Sequence, residues 1–505
     1  MSINFTRDIY LLQKRFYILG ISVCLLITGL AALLLLRLKF SEIPPLVPLW
    51  YTLPWGLPQL TPPINLWLLP ATAFALTLTN AILVELFLRK REEVLAEMTL
   101  IINIVSAVFL NLSLFRIIRK VSPLETLPWF FEQRWVLPFL CAFLLSLLLT
   151  PWVIKIAQRF GLVDDPRTHK HPGMLLLKPT PRMGAVPIYI SLLISGLLFL
   201  PKNNLIFPIY LAAALAVVIG IIDDKYNLNP YLRLAGLFFV AAIPVLSGIS
   251  ILFIGNPFGA IFNLDLYRTP FTVIGARPII LPADALTILW ILWVMNMLSW
   301  SNGVDGQFPG IVAIAAVIIA LLGKRFINFD PTQSAVVLLA FLTAGAVLGT
   351  LPFTWHPSRI LYGFGATSLG LILAVLSILS IAKVSTSSLI LMVPTLDALF
   401  VIFRRLKHHR SPVWGDRGHL HHKLLDWGWS QRQVAVFYWI VTAVFGSISL
   451  LASGREKILA TLSAGGFVAF VLTLANRESL RFPRLNRLQV FFKKEIKKSA
   501  PNGTN

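Results

Sequence analysis

Four short stretches of this chain carry side chains suited to phosphate chemistry, and they are far apart in sequence. The first reads Gly161-Leu-Val-Asp-Asp-Pro-Arg-Thr-His-Lys-His-Pro and is followed by Pro181-Arg182-Met-Gly184. Its cations suit phosphates, with Lys170 able to set a compact ammonium charge on a diphosphate; a basic loop beside a membrane is also an ordinary topology signal. The second, Gly220-Ile-Ile-Asp-Asp-Lys-Tyr-Asn-Leu-Asn-Pro-Tyr-Leu-Arg233, places Asp223 and Asp224 side by side at the end of an apolar run. Adjacent acids there fit Mg²⁺ and phosphoryl transfer, because hard cations take oxygen ligands and Mg²⁺ typically uses one or two carboxylates plus substrate phosphates. A solvated helix cap is the other reading of the same pair.

The third stretch, Asn296-Met-Leu-Ser-Trp-Ser-Asn-Gly-Val-Asp305-Gly306, closes an apolar run with amides and one acid among glycines. Glycine lets a backbone approach a ligand closely, and Asp305 adds a hard oxygen ligand; an Asn-Gly turn would look alike. The fourth, Asp416-Arg-Gly-His419-Leu-His421-His422, follows Asp397, Arg404, Arg405 and Arg410-Ser-Pro. Three histidines within four residues can ligate zinc, but with Arg neighbours and no Cys they fit better around an anionic substrate.

What must position these groups is a set of membrane helices. The chain is 57% hydrophobic and 13% charged over 505 residues, which excludes a soluble globular protein. Its net charge of +22 belongs in cytoplasmic loops and against anionic membrane lipids rather than on nucleic acid. Cys24 and Cys141 lie inside apolar runs, so no disulfide framework or metal cluster is indicated. Runs of spanning length recur near residues 16–37, 64–88, 97–117, 134–156, 184–201, 205–222, 231–250, 284–301, 308–323, 334–351, 367–382, 387–403, 433–452 and 457–475. The first is longer than a signal-peptide core and lacks a clear cleavage site, so it reads as a retained anchor.

The basic loops at 155–182 and 404–432 orient the chain with those loops in the cytoplasm. Two spans lead from the first stretch to the second and two more to the third, then two to the loop at 352–366 and a final two to the fourth, so counting alone puts every one of them on the same face. The expected organisation is an N-terminal membrane appendage of about three spans over 1–130, a core over 131–452, one further span over 453–476 and a basic cytoplasmic tail over 477–505.

In this order, the motifs resemble the polyprenyl-phosphate N-acetylhexosamine-1-phosphate transferase superfamily. The resemblance covers about residues 134–452. It rests on Asp-x-Pro with Lys170 and Pro-Arg-x-Gly, on Gly-x-x-Asp-Asp-x-x-x-Leu-x-Pro-x-x-Arg, on Asn296 followed by Gly-Val-Asp-Gly, and on Asp-x-x-His-x-His-His. It implies an all-α polytopic membrane protein of the plasma (inner) membrane, with a core of about ten helices around a cytoplasmic cleft. It further implies transfer of N-acetylhexosamine-1-phosphate, with GlcNAc-1-phosphate favoured, from a UDP-N-acetylhexosamine to undecaprenyl phosphate. UMP would be released and a lipid-linked envelope glycan begun. A phospho-MurNAc-pentapeptide transferase and a non-catalytic polyprenyl-phosphate-binding protein or transporter are the alternatives, and a homodimer stays open.

Carried over residue by residue, the resemblance makes Asp223, Asp224 and Asp305 catalytic, with Mg²⁺ (or Mn²⁺) on Asp305 and Asp224. It makes Lys170, Arg182, Asn296, Asn302, Arg410, His419, His421 and His422 substrate contacts. Three departures stand out. Asn302-Gly-Val-Asp305-Gly306 replaces Asp-Gly-x-Asp-Gly, Gly363-Phe364-Gly365-Ala366-Thr367 replaces Gly-Asp-x-Gly-Ser, and Gly184-Ala185 replaces Gly-Gly.

Overall fold

In lipid, each backbone N–H and C=O must find its partner within the segment, which leaves apolar runs of this length the α-helix as their solution. The computed structural model describes residues 57–90, 92–121, 135–167, 178–201, 205–255, 261–265, 268–273, 277–380, 383–412, 417–452 and 454–475, with scattered positions between 17 and 49. Lys170 and the tail expected over 477–505 lie outside the described residues. Seven helices among the described residues are long and apolar enough to cross a membrane, and several shorter apolar helices accompany them. The chain is a multi-pass, all-α membrane protein. Four two-stranded antiparallel sheets and one isolated parallel bridge, Arg182 with Leu361, are its only β-structure among those residues.

Two compact units divide the chain, Met1–Val136 and Leu137–Asn505. In the first, α1 (Leu68–Arg89) packs on α2 (Glu93–Val121), and the described positions between 17 and 35 are helical. Asn80 donates to Asn103 at 3.3 Å and Asn111 to Thr28 at 3.2 Å, so polar groups carried by apolar helices find partners on neighbouring ones. A small hairpin, β1 (Val47–Pro48) with β2 (Leu60–Thr61), completes this unit.

The second unit opens with α3 (Val136–Arg159), the short pair β3 (Val163–Asp164) and β4 (Thr180–Pro181), and α4 (Ala185–Phe199). Then come α5 (Ile206–Tyr226) and α6 (Pro230–Leu246), joined by a tight turn that local sequence dictates. Asn227 ends α5 in a left-handed conformation (φ 50°), while the Asn229 side chain accepts the Tyr231 N–H and Pro230 begins α6. Two hairpins, β5 (Phe253–Gly255) with β6 (Ile261–Asn263) and β7 (Arg268–Val273) with β8 (Arg277–Ile280), lead to α7 (Leu281–Trp300).

At the centre of the unit stand α8 (Gln307–Lys324), α9 (Gln333–Thr354) and α10 (Ala366–Leu379), buried over most of their circumference. Helices apolar all round belong in such positions. The expected span 387–403 is broken instead into α11 (Lys383–Ile390) and α12 (Met392–Lys407). Pro394 explains the break, since it has no N–H to donate to Ile390 and its ring would clash with that carbonyl, so it is accommodated only in the first turn of a new helix. The chain continues through α13 (Leu420–Asp426), α14 (Gln431–Leu451) and α15 (Gly454–Ala475).

Close approach of α9 to α3 depends on Gly345 and Gly349, one turn apart. A Cβ on Gly345 would collide with the Phe139 carbonyl, and one on Gly349 with the Phe143 carbonyl. Gly349→Leu should therefore destabilise the protein by about 1–3 kcal/mol through overpacking, while Leu211→Ala on the exposed face of α5 should have a much smaller effect. Apparent melting temperatures of the two variants in detergent check this.

Candidate active site

The helix ends of the second unit surround one cavity of about 370 Å³. Asp164, Arg182, Asp223, Asp224, Asn302, Asp305, His419, His421 and His422 all line it, so members of all four sequence stretches meet there. Two predicted contacts do not reach it. Asn296 hydrogen-bonds back to the Leu292 carbonyl of its own helix at 2.8 Å, and Arg410 is exposed beyond the end of α12. The residue of that basic cluster that lines the cavity is Arg405, which sits in the last turn of α12 and is only 4% exposed.

The acids are held by different means. Asp224 takes the Phe364 N–H, 3.2 Å from each carboxylate oxygen, and lies 3.5 Å from an Arg182 amine. The other amine of Arg182 is 2.5 Å from Asp164, so this arginine bridges two carboxylates instead of standing free for substrate. Gly363 (φ 57°) must be glycine here, because a side chain would overlap the Asp224 carboxylate. Asp223 is buried; its Oδ2 is 3.2 Å from Arg233, and its Oδ1 has no hydrogen-bond partner. Asp305 Oδ2 accepts from His356 Nδ1 at 2.7 Å and from the Ser358 N–H at 3.1 Å.

On the opposite wall, Asp397 organises the histidine loop. Its Oδ1 accepts the Leu420 N–H at 2.7 Å, and its Oδ2 lies 2.9 Å from His419 Nδ1. A carboxylate only accepts, so Nδ1 carries a proton and Nε2 faces away from Asp397. His421 stacks parallel to His419 with ring centroids 5.5 Å apart, and packs so tightly on Gly303 that no side chain fits there. Burial, reinforced by His422, His419 and Arg417, holds the His421 pKa well below the ordinary imidazole value of 6.5.

Could this cavity hold a divalent cation? Among the described residues no three His, Cys, Asp or Glu side chains converge on one point, which disfavours a cage made by protein alone. Mg²⁺ needs less, one or two carboxylates with substrate phosphates and water supplying the rest. The buried Asp223 oxygen without a partner, with Asp224 and Asp305 on the same cavity, forms a hard-oxygen donor set of that kind.

Comparison with known proteins adds family to geometry. Residues 206–381 match the model of glycosyl transferase family 4, a span that runs from the start of α5 to the end of α10 and contains Asp223, Asp224 and Asp305. Over that segment, about a third of its length, this chain is similar to glycosyl transferase family 4. Among relatives, it is 26% identical over 376 residues to a probable undecaprenyl-phosphate N-acetylglucosaminyl 1-phosphate transferase of Bacillus subtilis, covering 72% of this chain and 98% of that one. It is 29% identical over 374 residues to a decaprenyl-phosphate N-acetylglucosaminephosphotransferase of Mycolicibacterium smegmatis, covering 66% and 86% of the two chains. An undecaprenyl-phosphate alpha-N-acetylglucosaminyl 1-phosphate transferase of Escherichia coli O157:H7 is 25% identical, with 61% and 82% covered.

Sequence motifs miss several cavity neighbours. Arg233 stands inside a quoted motif without a role, Asp397 precedes another, and His356 and Ser358 lie outside the four stretches altogether. For His356 no sequence signal exists, since its meaning comes only from meeting Asp305. Two predictions follow from the histidine wall. Unfolded His421 binds a proton below about 6.5 while the folded ring resists it, so its part of the stability is present above that pH and is lost as pH falls below it. His421→Asn should accordingly lose less apparent Tm than wild type between pH 7.5 and pH 5.5. Asp397→Ala, which unseats His419, should cut turnover by about 10–100-fold, as loss of an orienting partner typically does.

Proposed function

We propose that this chain transfers N-acetylglucosamine-1-phosphate from UDP-N-acetylglucosamine to undecaprenyl phosphate, releasing UMP, at the cytoplasmic face of the plasma membrane. The observation that carries the proposal is the convergence of acids, arginines and histidines from four distant stretches on one cavity at the helix ends of a membrane protein similar to family 4. The relatives support the sugar and the lipid, being named as N-acetylglucosaminyl-1-phosphate transferases acting on undecaprenyl or decaprenyl phosphate. The basic loops at 155–182 and 404–432 support the cytoplasmic orientation, since Arg182 of the first and Arg405 of the second line the cavity.

In this reading an oxygen of the lipid phosphate attacks the sugar-bearing phosphorus of the donor. A new P–O bond forms as the bond to the UMP oxygen breaks, and UMP leaves with the electron pair. A phosphate monoester with a second pKa near 6 is already largely ionised at neutral pH, so a general base has little to remove. Catalysis then consists of positioning and charge neutralisation. Asp305 and Asp224 would hold Mg²⁺, which neutralises diphosphate charge when bound. Asp223 orients Arg233, and His419 and the neutral His421 form the wall against the donor. His356 and Ser358 keep Asp305 in place from behind.

The test is transfer of radiolabel from UDP-N-acetylglucosamine to undecaprenyl phosphate by purified protein, with and without Mg²⁺. Asp305→Asn should reduce turnover by about 100-fold or more, and Asp223→Asn by less than about tenfold. Product that needs neither Mg²⁺ nor Asp305 would overturn the mechanism. Failure of the wild type with this and other UDP-sugars would turn the assignment to a lipid-phosphate-binding protein.

A further inference from the structure

We propose that Arg233, held in place by Asp223 and by the ring of Phe364, binds the phosphomonoester headgroup of the lipid acceptor; this rests on the function proposed above and assigns its acceptor subsite. Arg233 lies in the first turn of α6 and lines the cavity. One of its amines is 3.2 Å from Asp223 Oδ2, and its guanidinium carbon lies 4.2 Å from the centre of the Phe364 ring. A guanidinium has five N–H donors in its plane. The ion pair uses donors on one edge, whereas the stack on Phe364 uses the face and consumes none. The group is therefore fixed in orientation with N–H donors left for a second anion.

Position 364 is where this chain departs from the Gly-Asp-x-Gly-Ser pattern of the proteins it resembles. An aspartate there would add a fourth carboxylate to a corner that already holds Asp164, Asp223 and Asp224 against Arg182 and Arg233. Phenylalanine keeps the arginine in position by the attraction of its ring for a cation, and adds no negative charge. The departure thus has a physical consequence, an arginine held by one carboxylate and one aromatic face.

Two sources could supply that phosphate, the donor diphosphate or the lipid headgroup, and the surroundings favour the lipid. Arg233 begins a helix whose outer face exposes Leu232, Phe238 and Phe239, the last at 70%, as suits a surface in contact with acyl chains. A ligand with an anionic head and an isoprenoid tail would meet both features on one helix. The histidine loop stands on another element, α13, and is the group assigned to the donor.

The experiment uses the full chain in detergent and measures two things. The first is binding of undecaprenyl phosphate without donor, against undecaprenol as the control. The second is the separate KM for acceptor and for UDP-N-acetylglucosamine in the transfer assay. Arg233→Gln should weaken undecaprenyl phosphate binding and raise the acceptor KM by about tenfold or more, with donor KM changed less than about twofold and undecaprenol binding unchanged. Arg233→Lys keeps the charge without the planar stack and should fall between. Phe364→Leu should raise acceptor KM by about threefold, and Phe364→Tyr should restore it, which a mere packing role for the ring would not predict for KM alone. If Arg233→Gln fails to fold, Arg233→Lys and the Phe364 pair give the same reading. A rise in donor KM with acceptor KM unchanged would overturn the assignment in favour of the diphosphate. Unchanged lipid binding in every variant would overturn it while leaving the proposed function standing, and a wild type that binds no undecaprenyl phosphate would overturn both.

Discussion

A bilayer interior offers no water to backbone amides or to charges, and the rest of this structure depends on that constraint. Apolar runs must close their own hydrogen bonds as helices, and ionised side chains must collect where the helices end. Asp223 and Asp224 close α5, Arg233 opens α6, Asn302 to Gly306 follow α7, and Arg405 ends α12. Chemistry at one end of the bundle is the consequence, because carboxylates placed at mid-helix would need partners within a low-dielectric core.

One loop, from Trp355 to Gly365, links most of the polar groups so gathered. His356 and the Ser358 N–H fix Asp305, the Phe364 N–H fixes Asp224, and the Phe364 ring carries Arg233. The Leu361 N–H donates to the Pro181 carbonyl, and the Leu361 carbonyl accepts the Gly184 N–H, so the same loop ties down the strand end from which Arg182 reaches Asp164 and Asp224. Glycine at 363 is what lets this backbone lie against a carboxylate. The acids are therefore positioned by backbone and by second residues rather than by one another. This is how a cavity with few carboxylates can remain organised.

The departures from the related motifs change charge more than shape. An amide at 302 and a phenyl ring at 364 remove two potential carboxylates from a cavity that must receive phosphate groups. The remaining acids keep Arg182 and Arg233 close, and the histidine wall contributes a ring that burial keeps neutral. The geometry of both arginines is thus set by the protein itself, and a preset geometry lowers the reorganisation that a reaction would otherwise require.

The sequence alone determined that this is a membrane protein of many helices, and nearly every helix of the second unit falls on an apolar run, because a bilayer enforces length and hydrophobicity directly on local composition. It also determined which stretches share a face, since each span reverses the chain. Side-chain partners were another matter. Arg182 reads as a phosphate ligand until Asp164 and Asp224 take its two amines, Arg410 reads as a contact until α12 ends with Arg405 inside and Arg410 outside, and His356 carries no signal at all. The break at Leu391 was hidden in an apolar run and follows from where Pro394 can be tolerated. Tertiary structure decided these points because hydrogen bonds and ion pairs act over about 3 Å between residues 18 to 140 positions apart, a proximity that motif spacing does not encode.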